Sequence, residues 1–546
     1  MKEKDINFED KLWKAADKLK EESLVDYADR LGELYTKEHD LSYRKIKGQY
    51  FTPKQVSIFM ASLFIIKKDK ISILDPGGGI GILTAAICER LLCDDKRRIL
   101  NIDVYENDPR VLPFLALTLR ACKSELENKG HSVEYRMHDK DFILQNKEKM
   151  WKSDLFNNMT ENKYDFIISN PPYFKLNKNS PHARIMADMV NGQPNIYPFF
   201  MALSSEMLKP GGEMVFITPR SFCSGLYYKR FIGWFLEKNI ISYIHVFRSR
   251  KEIFDKDEVL QENIIIKAKK ALEREKVMTV TISSSRNKSL SEIRRIKAKY
   301  SDVIYRRNKE AFIRIPTSKT DLKVLKVFDS WQKTFSESGL EISTGPVVPF
   351  RAKQFLVHKL MDSCESVPLL WMHNLKDMTV IWPVNKIKKA LSIQKRKATI
   401  PLLLPVKNYV LLKRFSSKEQ KRRIYSAALL ESEFPYELIG FENHLNYIHR
   451  HGSKLSINEV LGITSFLNTK LMDNYFRSLN GNTQVNATDI RHMPFPDIKK
   501  IIEIGKTIDG NRHNSYGHYL DMKVADILKI DRKLITELFK GDNEDG

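Results

Sequence analysis

Tyr164-Asp165-Phe166-Ile167-Ile168-Ser169-Asn170-Pro171-Pro172-Tyr173 is the most telling stretch of this 546-residue chain. Its first six residues form a short apolar run ahead of turn residues, the pattern of a buried strand. An Asn at the end of such a strand, followed by two prolines and an aromatic, can hold a planar amine. The Asn170 side-chain oxygen and the Pro171 backbone carbonyl each accept one hydrogen of an –NH2 group. Pro172 stiffens the turn, so both acceptors are fixed before a substrate arrives. Tyr173 can stack on the ring that bears the amine, and Phe174 beside it can line the same pocket. A proline-rich turn that merely ends a strand would contain the same residues.

Upstream, Ile71–Asp75 reads as another short apolar strand. Pro76-Gly77-Gly78-Gly79-Ile80-Gly81 follows it, and Ile82–Ile87 opens a helix. Strand, glycine turn and helix receive nucleotide-like ligands at the carboxyl ends of α/β sheets, because glycines let the backbone approach closely. No phosphate-binding Lys follows the glycines, which argues against a P-loop. The strand Ile102–Glu106 ends in an acid whose carboxylate can accept both hydroxyls of a ribose. A third strand, Val133–His138, leads to Asp141 and Phe142, an acceptor and a ring placed for a purine. Before all of these, Thr52-Pro53 reads as a helix start, with Thr52 also a candidate cofactor contact. Asn195–Phe200 reads as packing at the start of a helix.

The order of Gly48–Pro53, Asp75–Gly81, Glu106, Asp141-Phe142 and Asn170–Tyr173 resembles that of the gamma-class DNA adenine-N6 methyltransferases. The resemblance extends through Gly211–Arg220, Ile244–Phe247, Glu252–Phe254 and Asn263–Ile266, about residues 45–270. Ser343–Val348, Asn408–Ser416 and Asn482–Asp489 are more specifically similar to the BsuBI/PstI-type modification methylases. One departure is Pro76-Gly77-Gly78 after Asp75, where many relatives carry other residues. The resemblance implies an α/β chain: a Rossmann-like S-adenosylmethionine-dependent methyltransferase domain with a C-terminal mixed α/β target-recognition domain. It implies catalysis by Asn170, Pro171, Pro172 and Tyr173. Cofactor contacts would come from Thr52, Asp75, Gly77, Gly79, Glu106, Asp141 and Phe142. Tyr173 and Phe254 would contact the substrate base, and no metal is required. The implied partners are double-stranded DNA and a separate cognate restriction endonuclease acting on the same site.

Composition agrees. The formal charge is +23, with 91 Lys+Arg against 68 Asp+Glu. Residues 1–270 hold 44 Lys+Arg and 38 Asp+Glu, whereas residues 271–450 hold 34 and 17. A basic excess concentrated after the catalytic region suits a phosphate backbone. Candidate contacts are Lys386, Lys388, Lys389, Lys395, Arg396 and Lys397, then Lys413, Arg414, Lys421, Arg422 and Arg423. The five cysteines show no CxxC pair, which fits a reducing cytosol and no structural zinc. The charged opening residues do not read as a signal peptide, and the apolar stretch Ile58–Ile66 is far below the ~20 residues that span a bilayer. The expected location is a bacterial or archaeal cytosol.

The expected organisation is a helical segment at 1–44, a methyltransferase domain at 45–270, a basic connection at 271–330 with some strand character at Val277–Ile282, and a recognition domain at 331–546. Leu12, Trp13, Ala16, Leu19, Leu24, Tyr27, Leu31 and Leu34 have helical spacing and read as packing surface. An RNA or ribosomal N-methyltransferase, a protein-glutamine methyltransferase and the methylase part of a bifunctional restriction enzyme are the competing functions. A glutamine methyltransferase has no use for a long basic domain, and 44 residues are too few for a nuclease core ahead of the methylase.

Overall fold

Four strands, Lys70–Asp75 (β1), Ile99–Tyr105 (β2), Ser132–His138 (β3) and Tyr164–Ser169 (β4), lie parallel in one sheet. All six residues of β4 are buried, its Asp165 paired with Lys68 and Lys209. Leu208–Pro219 (β5) continues the parallel set. Asn239–Phe247 (β6) and Asn263–Lys270 (β7) then form an antiparallel pair, with β7 against β5. Thr279–Ser285 (β8) and Ile293–Lys299 (β9) complete a nine-stranded sheet of order β3-β2-β1-β4-β5-β7-β6-β8-β9. The strand order reverses between β1 and β4. Open α/β sheets bind ligands at such a switch point, outside the carboxyl ends of the strands. Asp75 ends β1 there and Asn170 follows β4, so both sequence motifs meet at one crevice.

These elements come from a computed structural model. It describes residues 17–544 except 40, 150–163, 178, 188, 190–194, 225–227, 249–261, 273–277, 287–289, 308–309, 359–364, 385–387, 417–419, 482 and 509–516. The chain divides into two compact units, Met1–Thr317 and Ser318–Gly546.

Those limits differ from the expected ones in two places. The segment 1–44 is not separate: its helix Leu24–Glu38 buries Tyr27, Leu31 and Tyr35 against Ile80, Val111 and Phe114 of the first unit. Leu19 stays 63% exposed, and Leu12, Trp13 and Ala16 lie outside the described residues. The connection assigned to 271–330 instead supplies β8, β9 and a hairpin of Ile304–Arg307 with Glu310–Ile313. β9 is an edge strand whose Arg294, Arg295, Lys297 and Lys299 are exposed. Cations there discourage edge-to-edge pairing with another sheet. Residues 271–317 contain 12 Lys+Arg and 5 Asp+Glu, so part of the basic excess belongs to the first unit.

The second unit opens with Lys319–Asp329, a helix capped reciprocally by Ser318 and Asp321. It contains a six-stranded and a five-stranded sheet of short strands. Helices follow, among them Ile457–Leu467 and Ile498–Lys506. No helix among the described residues is long and apolar enough to cross a membrane.

Candidate active site

A half-open cleft of about 290 Å³ lies at the switch point. Its walls combine Gly48–Thr52, Pro76–Ile80, Tyr105–Asn107, Lys140–Phe142, Asn170, Pro172, Phe174, His182, Ile196 and Phe200. Of the expected cofactor residues, Thr52, Gly77, Gly79, Glu106, Asp141 and Phe142 line it; Asp75 does not.

The glycine turn has a specific backbone. Gly79 has φ +54° and Gly81 φ +87°, both left-handed conformations that L side chains rarely adopt. The Gly78 amide donates to Tyr105 O at 2.9 Å, which ties the turn to the end of β2. The Gly79 amide donates to Glu106 Oε2 at 3.0 Å, and the Asp108 amide to Oε1 at 2.9 Å. Each carboxylate oxygen keeps a lone pair for a further donor. Burial pushes the Glu106 carboxyl above its usual range, against these amide hydrogen bonds. Asp75 lies behind the cleft lining rather than in it. It is fully buried under the turn, where Oδ2 accepts the Thr84 hydroxyl at 3.0 Å and Oδ1 has no protein donor among the described residues. That burial raises its pKa to about 7, although Thr84 and the Gly77 amide act against it.

Asp141 is the N-cap of a short helix, accepting the Leu144 amide at 2.8 Å, and its Oδ2 lies 2.9 Å from His182 Nε2. Burial works to raise its pKa, but the His182 and Leu144 contacts outweigh it and hold the carboxyl below the usual range. Phe142 packs edge-on to Tyr105, with centroids 5.1 Å apart. Thr52 is not the cap it resembles: the helix Lys54–Ser62 starts after Pro53 with no side-chain cap bond.

Asn170 lies beside the glycine turn, where a Cβ on Gly77 would lie 3.8 Å from Asn170 O. Its Nδ2 donates to Tyr50 O at 2.7 Å, which fixes the amide so that Oδ1 is the remaining acceptor. The Tyr173 hydroxyl is 2.7 Å from that Oδ1 and 2.8 Å from Ile217 O. Tyr173 is thus turned inward, 7% exposed, and its ring does not form the cleft wall. Phe174 takes that place. Gly48, at φ +65°, carries the Gly48–Thr52 loop against the motif: a Cβ there would lie 3.2 Å from the Tyr173 backbone nitrogen. Phe254 lies outside the described residues. Asn195–Phe200 is more than packing, because Ile196 and Phe200 reach the cleft while Tyr197 and Phe199 are buried. Sequence reasoning missed His182, which nothing in its local pattern marks.

Residues 51–254 match the Eco57I restriction-modification methylase family. Over 89% of this chain and 94% of its own length, the type II methyltransferase M.BsuBI of Bacillus subtilis is 35% identical. The type II methyltransferase M.PstI of Providencia stuartii is 32% identical over 94% of this chain and 98% of its own. Among solved structures, a putative class I S-adenosylmethionine-dependent methyltransferase from Listeria monocytogenes covers 50% of this chain and 77% of its own, at 17% identity and TM-score 0.38.

Proposed function

The chain belongs to the type II restriction-modification methyltransferases, and on that premise we propose that its methyl acceptor is the N6 amine of an adenine flipped out of duplex DNA. The observation that carries this reading is the fixed Asn170 amide. Its nitrogen is held by Tyr50 O, so Oδ1 presents an acceptor at the wall of the cofactor cleft.

The methyl donor of this reading is S-adenosylmethionine, and the cleft lining carries the groups to hold it. Glu106 would accept the ribose hydroxyls. Phe142 would lie against the adenine, and Thr52 with the Gly48–Thr52 backbone would hold the amino-acid end. A Cβ at Gly77 would meet nothing closer than 3.7 Å, so the turn leaves room for a bound group. The bound cofactor supplies an electrophilic sulfonium methyl. Asn170 Oδ1 and the Pro171 carbonyl would accept the two amine hydrogens, which favours a pyramidal nitrogen whose lone pair points at the methyl. Pro172 holds the two acceptors in register. To admit the amine, the Tyr173 hydroxyl would give up Asn170 Oδ1 and keep Ile217 O. Phe174 offers the aromatic surface first assigned to Tyr173. Positioning and preorganised acceptors supply the rate. Extruding the base costs a few kcal/mol.

Glu106→Ala is expected to weaken S-adenosylmethionine binding by about 1–3 kcal/mol, because the ribose hydroxyls are left without their partner. It also frees the Gly79 amide, so binding falls without any change in the DNA sequence preferred. Calorimetry that finds wild-type affinity removes Glu106 from the site.

Duplex affinity depends on cations elsewhere. Lys388, Lys389, Arg396 and Lys397 are exposed, whereas Arg423 is buried and bonded to Ser416 and Asn480, and Arg414 and Arg422 are bonded to backbone carbonyls. The first group is therefore the better phosphate-binding set; Lys386 lies outside the described residues. Neutralising those four residues flattens the plot of log affinity against log salt by up to about one unit for each phosphate no longer neutralised. Superimposable slopes with an intact fold assign them to ordinary surface.

The partner we propose is a separate endonuclease that cuts the same site when it is unmethylated. Offering the protein duplex DNA beside ribosomal RNA tests the substrate class. Methyl transfer to the duplex alone supports the reading, and transfer to RNA alone refutes it.

A further inference from the structure

In the second unit, Glu442-Asn443-His444 links the strands Leu438–Phe441 and Leu445–His449. Of the three segments that resemble the BsuBI/PstI-type methylases, two bond to this turn and the third backs the second. From the first, Val347 N donates to Phe441 O at 3.0 Å, and Val347 O accepts the Asn443 amide at 2.9 Å. A Cβ on Gly345 would come within 2.3 Å of Glu442 O, so the close approach requires glycine. From the second, Arg414 N donates to His444 O at 2.9 Å, and its guanidinium donates to Asn443 O at 3.0 Å. From the third, Val485 N donates to Arg414 O at 2.8 Å.

The backbone of the turn is thus fastened by the first two segments, the second of them held in turn by the third, yet two of its buried side-chain oxygens are not. Glu442 is fully buried, and its Oε2 accepts the His444 amide at 3.0 Å. His444 Nδ1 lies 2.8 Å from Oε1, but off the hydrogen-bond line, so Oε1 has no hydrogen-bond donor among the described residues. Asn443 Oδ1 is buried and likewise without one. A buried carboxylate oxygen and a buried amide oxygen left open on one turn are costly unless a ligand uses them. His444 is 45% exposed over the carboxylate, with Phe415 edge-on to its ring at 4.8 Å. Cations surround the turn. Lys389 and Arg414 both act on Glu442 and His444, and Lys389 Nζ also lies 5.0 Å from the Trp371 ring centroid. Burial raises the Glu442 carboxyl to about 7, while burial and the two cations hold the His444 imidazole below its usual value.

We propose that this turn reads a base edge of the DNA recognition site, with His444 as the contacting side chain and Glu442 as the residue that positions it. The inference rests on duplex DNA being the substrate. Glu442 occupies the Nδ1 side of the ring and leaves Nε2 for the base. Hydrogen-bonding side chains read base edges in the major groove, while exposed cations such as Lys389 hold the phosphates without reading sequence.

The test is methylation of a random-sequence duplex library, read by sequencing, for wild type, His444→Ala, Glu442→Ala, Glu442→Gln and Lys389→Gln. His444→Ala is expected to lower discrimination at one base-pair position by roughly 10- to 100-fold and to keep it elsewhere. Glu442→Ala relaxes the same position, and Glu442→Gln keeps most of the preference because a side chain of the same shape still fills the Nδ1 side of the ring. Lys389→Gln weakens binding to all sequences alike and leaves the preferred context unchanged. The proposal is overturned if His444→Ala and Glu442→Ala keep full discrimination at every position. A uniform loss of methylation over all contexts, with a lowered melting temperature, overturns it equally, since that marks a structural role. A wild type that methylates no duplex DNA refutes the substrate assignment itself, which separates the two failures.

Discussion

Replacing Asn170 with alanine lowers the rate of methyl transfer to duplex DNA by roughly 10²–10³ and leaves S-adenosylmethionine binding near wild type. The group removed is one of two acceptors that draw the amine nitrogen into its reactive shape. The effect falls on turnover because the acceptor acts most strongly as the nitrogen becomes pyramidal. Cofactor affinity survives because Glu106 and its bond to the glycine turn are untouched. Tyr173→Phe is the matched control. It removes the hydroxyl that shares Asn170 Oδ1 but leaves the Tyr50 anchor, so turnover stays within about tenfold of wild type. Single-turnover kinetics beside calorimetry reads both variants. Asn170→Ala at the wild-type rate excludes this mechanism.

Gly462→Ala destabilises the second unit by about 3 kcal/mol or more. The helix Ile457–Leu467 meets Ile498–Lys506 through Gly462 and Gly505. A Cβ on Gly462 would lie 1.9 Å from Ile501 O, and one on Gly505 would lie 1.9 Å from Asn458 O. Both obstacles are backbone atoms, so no side-chain rotation relieves the clash and the helices must separate. Urea unfolding measures the destabilisation. A midpoint equal to that of wild type means that the helices pack at a wider distance.

Much of the first unit is legible in the sequence because its central parallel strands are largely buried on both faces and read as short, mostly apolar runs. Ile71–Asp75, Ile102–Glu106 and Tyr164–Ser169 are such runs, and the turn residues after each mark the carboxyl ends where ligands bind. The direction of a single side chain is less legible. Tyr173 follows two prolines, and whether its ring faces cleft or core is decided by Ile217 on the neighbouring strand, 44 residues away. His182 is opaque for the same reason, since it meets Asp141 only through the folded chain. The limit at 270 is displaced because β8 and β9 carry alternating, partly charged patterns that also suit a solvated connection. In the second unit the strands are short, and Arg423 looks like a surface cation until Ser416 and Asn480 enclose it.

The most direct measurement is nucleoside analysis of duplex DNA after incubation with the wild-type protein and methyl-labelled S-adenosylmethionine. The account predicts label in N6-methyladenine alone, with Asn170→Ala reducing it by roughly 10²–10³ at equal time. Label in a methylated cytosine, or undiminished label with Asn170→Ala, would contradict it.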